Sequence, residues 1–172
     1  IGAGDVVIDL CEDVALDITA WDTLAIGSDE TTSITINGNG HTLTFNKLNS
    51  DWNNVATNNN AKLVLNNMTI TDSGYNNGPW NRYDIYFGCD VELNKVTSTK
   101  PLAFNANAKL NNVEINDNSD SYAIWIRPNG KNIEIDGLTV NAGRGIKIDN
   151  QYLADGEEKP TNLSIANATF TT

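Results

Sequence analysis

Side chains able to carry chemistry are few in this sequence and widely spaced. Three Arg, one His and two Cys stand among 172 residues. The basic candidates for proton transfer are Arg127 in "WIRPNG" and Arg144 and Lys147 in "GRGIKI". Hydrolysis by general acid and base needs two carboxylates at a fixed separation, and no such pair is identifiable. Asp117, Asn118 and Asp120 form an oxygen-rich loop, as do Asp149, Asp155, Glu157 and Glu158. Either could hold a structural calcium ion, but neither follows a defined calcium-loop pattern, so solvated loops and no required cofactor are the expectation. His41, in "NGNGHTL", has no Cys, His or carboxylate at metal-ligand spacing and reads as a turn residue. Cys11 and Cys89 sit in similar phrases, "DLCEDVAL" and "FGCDVEL". In the repeat described next they fall two or three coils apart, roughly 10 Å, beyond disulfide reach. Two buried free thiols are expected.

What positions these residues is a repeat. One phrase recurs as "SITINGNGHTLTF" from Ser33, "AKLVLNNMTITD" from Ala61, "DVELNKVTST" from Asp90, "AKLNNVEIND" from Ala108, "NIEIDGLTV" from Asn132 and "NLSIANATF" from Asn162. Its anchor column reads Ile36, Leu65, Leu93, Leu110, Ile135, Ile165, at steps of 29, 28, 17, 25 and 30 residues. Apolar residues alternate with polar ones, skip a beat at a two-residue bend, then alternate again, which is strand, corner, strand. The second corner residue is Gly38, Asn67, Lys95, Asn112, Gly137 or Asn167. Gly and Asn tolerate positive φ, so five of the six copies suit a left-handed corner, with Lys95 the exception. Between copies lies a second strand, "TLAI", "NVAT", "YDIYF", "PLAF", "YAIWI" and "RGIKI". Corners that hold while loops vary in length, with insertions at 46–60, 72–82, 116–121 and 150–161, are the mark of a solenoid. With no helical periodicity between strands, the expectation is an all-β parallel β-helix of about six coils with an N-terminal capping strand, whose right hand is what the family resemblance described below implies, in keeping with the general right-handedness of parallel crossovers. A single domain over 1–172 is expected, the cap and first strands at 1–30 and repeating coils at 31–172. The final strand lacks an obvious polar cap, so flanking domains of a longer chain, or another subunit, are expected to cover it.

Two surface features follow from the repeat. The outward residues of the second strand read Ala56, Tyr86, Ala103, Trp125 and Lys147, which puts Tyr86 and Trp125 about 9.6 Å apart with small Ala103 between them. Trp52, Tyr75, Trp80, Tyr83 and Tyr122 lie in or beside loops on that side. Tyr86 and Trp125 are expected to stack on a ligand, with Trp80, Tyr83, Tyr122, Arg127 and Lys147 at the rim. Loops folding down over the rings are the competing arrangement. Past the corner, outward pairs read Thr44/Asn46, Thr69/Thr71, Thr97/Thr99, Glu114/Asn116, Thr139/Asn141 and Thr169/Thr171, a threonine ladder that would suit ice binding if it were unbroken.

Composition narrows the partners. The formal charge of −11, from 22 acidic and 11 basic residues, argues against nucleic acid and anionic membrane surfaces. No apolar run reaches the roughly 18 residues of a membrane span. Asn fills 27 positions and Gly 13, and 40% of residues are apolar, which fits a packed, turn-rich β protein.

With its opening "EDVALDI…DTLAIGSDETTSITINGNGHTLTF" and its later "GRGIKIDNQYL", the chain resembles the right-handed parallel β-helix of the pectate-lyase-like superfamily. The likeness is closer to β-helix modules of large bacterial surface and secreted proteins. Lyases and hydrolases of the superfamily act on acidic polysaccharides, the lyases with carboxylate-bound calcium and an Arg or Lys base. The resemblance therefore makes Arg127, Arg144 and Lys147 candidate catalytic residues and Asp117, Asp120, Asp149 and Asp155 candidate calcium ligands. The match is partial. "IRP" at Arg127 is similar to the lyases' Arg-x-Pro but lacks its spacing, and Gly145 stands where polygalacturonases carry the Arg of Arg-Ile-Lys. Their paired Asp and Gly-His-Gly motifs are missing. The resemblance thus implies a non-catalytic, extracellular, adhesin-like module of a bacterial surface or secreted protein, binding a glycan or protein through the aromatic face. A calcium-assisted lyase or a hydrolase is the alternative.

Overall fold

The computed structural model describes residues 4–18, 23–47, 54–73, 85–127, 130–149 and 161–171. Trp52, Tyr75, Trp80, Tyr83, Asp155, Glu157 and Glu158 lie outside them. The first half holds β1 (Gly4–Asp9), β2 (Val14–Ile18), β3 (Thr23–Ile26), β4 (Thr31–Asn37), β5 (Thr42–Lys47), β6 (Asn54–Thr57) and β7 (Lys62–Asp72). A 3₁₀ turn at Asn58–Asn60 separates β6 from β7. There follow β8 (Ile85–Phe87), β9 (Val91–Ser98), β10 (Leu102–Phe104), β11 (Ala108–Asn116), β12 (Tyr122–Ile126), β13 (Asn132–Asn141), β14 (Arg144–Ile148) and β15 (Asn162–Thr171).

Every strand pairing is parallel, and two sheets result. The larger runs β1-β4-β7-β9-β11-β13-β15, with β2 and β5 stacked alongside, and the smaller runs β14-β12-β10-β8-β6-β3. The chain passes from one sheet to the other and back, one layer per circuit, which makes a parallel β-solenoid. The fold class is the expected one, and its register explains why. Leu63, Leu65, Val91, Leu93, Ala108, Leu110, Ile133 and Ile135 point inward and are no more than 3% exposed. Each buried aliphatic of this size contributes about 1.5–3 kcal/mol. From the smaller sheet Phe87 stacks on Phe104 at 5.7 Å and meets Phe45 edge-on at 6.3 Å, a continuous aromatic column through three layers.

The corner column behaves as the residue types dictate, with two instructive departures. Asn67, Lys95, Asn112, Gly137 and Asn167 take φ of 50°, 53°, 53°, 74° and 52°. Lys95 therefore adopts the left-handed conformation despite its side chain, at a cost of about 1–2 kcal/mol that the surrounding ladder imposes. Gly38 is the other departure, since the positive φ falls instead on Asn39 and Gly40. Position 38 needs glycine for space: a Cβ there would lie 2.2 Å from the Met68 Cβ and 2.8 Å from the Asn67 carbonyl oxygen.

That longer first corner shifts one expectation. Thr42 and Thr44, rather than Thr44 and Asn46, stand opposite Thr69 and Thr71. Glu114 pairs with Thr97 on one side and Thr139 on the other, so a carboxylate breaks the threonine column. In the smaller sheet Val55 pairs with Phe87, because the 3₁₀ turn takes up a longer link to β7, and Ala56 leaves the column expected to contain Tyr86.

The thiols also divide. Cys89 is buried beside the Val55 carbonyl oxygen, and desolvation pushes its thiol up to about 11. Cys11 is exposed, which corrects the expectation of two buried thiols. It lies between β1 and β2 on the first described coil.

The many asparagines do structural work that the repeat alignment did not reveal. In the position after the first four anchors, Asn66 donates to Asn37 (2.9 Å), Asn94 to Asn66 (2.9 Å) and Asn111 to Asn94 (2.6 Å). Shorter runs join Asn141 to Asn116 and Asn162 to Asn132. Each amide spends its N–H on the layer before and its carbonyl oxygen on the layer after, so identical residues in register satisfy one another.

Candidate functional site

The outer face of the smaller sheet gathers rings and cations. Register places Tyr86, Ala103, Trp125 and Lys147 in one column across β8, β10, β12 and β14, as the spacing required. Alternation dictates this column, since Ile85, Phe87, Leu102, Phe104, Ile124 and Ile126 turn inward and leave the intervening residues outside. Three residues before Trp125, at the start of β12, Tyr122 stands opposite Arg144, a position that alternation alone does not assign to the outer face.

The cations lie over the rings. Lys147 Nζ is 4.5 Å from the centre of the Trp125 ring and 5.8 Å from that of Tyr122. The Arg127 guanidinium is 5.1 Å from Tyr86, and that of Arg144 is 5.4 Å from Tyr122. Such contacts add about 0.5–1 kcal/mol each when exposed. Carboxylates hold the cations from the other side. Arg144 binds Asp120 at 3.0 Å, which makes the guanidinium still harder to deprotonate, and Lys147 binds Asp149 at 3.1 Å. Arg144 and Lys147 thus share the Tyr122 ring, whereas Arg127 lies apart from them over Tyr86.

The rings are not equally presented. Trp125 and Tyr122 are half-buried, whereas Tyr86 is only 6% exposed. Tyr86 is therefore packed beneath Arg127, which corrects its expected place in a ligand-facing pair. Its outward direction was legible in the alternation, but alternation does not encode whether the Arg127 guanidinium lies over the ring. Trp80 and Tyr83, expected at the rim, lie outside the described residues.

The candidate calcium ligands are dispersed or engaged. Asp117 is buried and accepts a hydrogen bond from the Ser119 hydroxyl, and Asp120 pairs with Arg144. They line an open groove of roughly 390 Å³ with Asn141, Gly143 and Thr171. Asp149 faces Lys147, and Asp155 is outside the described residues. Among the described residues no three His, Cys, Asp or Glu side chains converge. His41 sits 3.6 Å from Asp13 at the first corner, a local turn contact.

Fold and face together define a β-solenoid with a ring-and-cation surface on its narrower sheet. A family model described as "Putative pectate lyase-like adhesive domain" matches residues 8–101, more than half of the chain, and the protein belongs to that family. The match spans the first layers and Tyr86 and stops short of Trp125. Comparison with curated proteins and with solved structures returns no match.

Proposed function

We propose that this domain is a non-catalytic adhesive module of a secreted or surface-exposed bacterial protein, and that it holds a glycan or protein ligand against the smaller sheet at Trp125. The observation that carries this reading is the partly exposed Trp125 ring on a parallel sheet, with Lys147 Nζ over one face of it and Tyr122 on the same strand. An indole offers an apolar platform for a sugar face or an aliphatic side chain, and neighbouring cations supply polar contacts at its edge. The adhesive description of the family supports the same reading. The pairing of Arg144 with Asp120 favours binding over lyase chemistry at that residue, because a general base must be unprotonated to accept a proton and the carboxylate holds the guanidinium in its charged form.

A glycan array probed with the native domain and with Trp125→Ala tests the proposal, with far-UV circular dichroism confirming that both are folded. Binding weakened about 30-fold or more in the variant is expected. Ligands retained equally by both proteins would move the binding surface elsewhere. Unsaturated product released from polygalacturonate in the presence of calcium would favour the lyase instead.

A further inference from the structure

Three rings of the smaller sheet each lie against a cation, but they are not equally closed. Tyr86 lies under the Arg127 guanidinium at 5.1 Å and is only 6% exposed. Trp125 lies under Lys147 Nζ at 4.5 Å and stays partly exposed. The two cations differ in what they can cover. A guanidinium is a flat plate that stacks on a ring, whereas an ammonium is a compact charge on a flexible four-carbon stem. The indole stands in its column between Ala103 and Lys147. Ala103 is fully buried, which leaves no open space on that side of the ring. Access to the ring is therefore decided on the other side, by where Lys147 lies.

We infer that Lys147 is a movable cover on the Trp125 ring, and that a ligand reaches the ring face by displacing its ammonium. The inference rests on the reading of Trp125 as the ligand platform. Asp149 anchors the covered position, its carboxylate 3.1 Å from Nζ and its side chain only 10% exposed. That anchor is itself fixed, because the Asp149 backbone N–H donates to the Ile126 carbonyl oxygen at 3.0 Å. The lysine stem is the part that swings. Pairing with Trp125 across β12 and β14 holds the Lys147 backbone, and the stem beyond it changes rotamer within nanoseconds once the ammonium lets go.

Neighbouring charges favour the covered position. Arg144 and Lys147 approach the same Tyr122 ring, at 5.4 Å and 5.8 Å, and like charges on one ring repel. Tyr122 is thus the weaker seat for the ammonium and Trp125 the stronger. A cation on a ring and a partly exposed ion pair together favour closure by about fivefold to thirtyfold. A ligand that needs the ring open binds with its intrinsic affinity reduced by the open fraction. The cover therefore selects. A ligand touching only the ring edge loses little, whereas one that lies flat on the indole bears the whole reduction and must bring contacts enough to offset it.

Acrylamide quenching of tryptophan fluorescence tests the cover without a ligand, since the probe is small and neutral. The domain has four tryptophans, and a Trp125→Phe variant gives the background of the other three. The quenching constant of Trp125 should rise about twofold in Lys147→Ala, as the open fraction grows. It should also rise in the native domain at about 1 M salt, where the screening length falls to roughly 3 Å, and stay level in the variant. Ligands that the native domain binds and Trp125→Ala loses should be held about fivefold more tightly by Lys147→Ala. If circular dichroism shows that variant unfolded, Asp149→Asn removes the anchoring charge and should produce the same changes in smaller measure. Equal quenching in native and variant domains would overturn the cover and leave the Trp125 platform standing. So would ligands held no more tightly without Lys147. Ligands unaffected by Trp125→Ala would remove the platform, and the cover's role in binding with it.

Discussion

The two outer faces of the solenoid are built from the same parallel strands and end in opposite conditions. On the larger sheet like stacks on like: Asn37, Asn66, Asn94 and Asn111 satisfy one another, and the Thr71 and Thr99 hydroxyls bond at 2.6 Å. On the smaller sheet unlike residues stack, and Tyr86, Ala103, Trp125 and Lys147 leave a stepped surface of rings and cations. A repeated side chain closes its own hydrogen-bond account, so that face is structural. Broken repetition leaves groups whose best contacts can be completed from outside, and a binding face is easier to build there.

Substitutions can break or sharpen this contrast. Phe87 lies beneath both faces, and Phe87→Ala should cost about 3–5 kcal/mol in denaturant unfolding, because it empties the column between Phe45 and Phe104. Asn66→Ala removes the donor to Asn37 and the acceptor for Asn94, and a loss of about 2 kcal/mol is expected by the same measurement. An unchanged midpoint would mean that the ladder is decorative and that the larger face is not self-supporting. Lys95→Asn relieves the left-handed corner and should gain about 0.5–1 kcal/mol, read as a rise in melting temperature. Trp125→Ala should change stability by less than about 1 kcal/mol while abolishing ligand binding. If it costs as much as Asn66→Ala, Trp125 is a structural pillar and the contrast between the faces disappears.

The sequence was most legible where one residue type answers one backbone demand. Anchor aliphatics and the Asn and Gly of the corners fixed sheet, layer and register over most of the chain, and even Lys95 could be placed by its column. Register slipped where the local path lengthened, at the 38–41 corner and at the 3₁₀ turn before β7. The asparagine ladder was visible in principle, since Asn37, Asn66, Asn94 and Asn111 each follow an anchor. Abundance hides it, because Asn also serves the turns of this chain and its column stands out only once the layers are in register. The cation–ring contacts were less accessible still. Alternation places Lys147 beside Trp125, but whether a flexible lysine lies over the ring or extends into water depends on Asp149 at its far end.

Strands that lie across the long axis of the stack give the domain a mechanical character. A pull along that axis loads one layer's hydrogen bonds before the next, so the molecule yields by peeling rather than by sliding whole sheets. Successive layers are 17 to 30 residues of chain apart, and each one released would lengthen the tether by about 60–100 Å. An attachment built this way absorbs a sudden load in steps and keeps its remaining layers in register to re-form when the load falls.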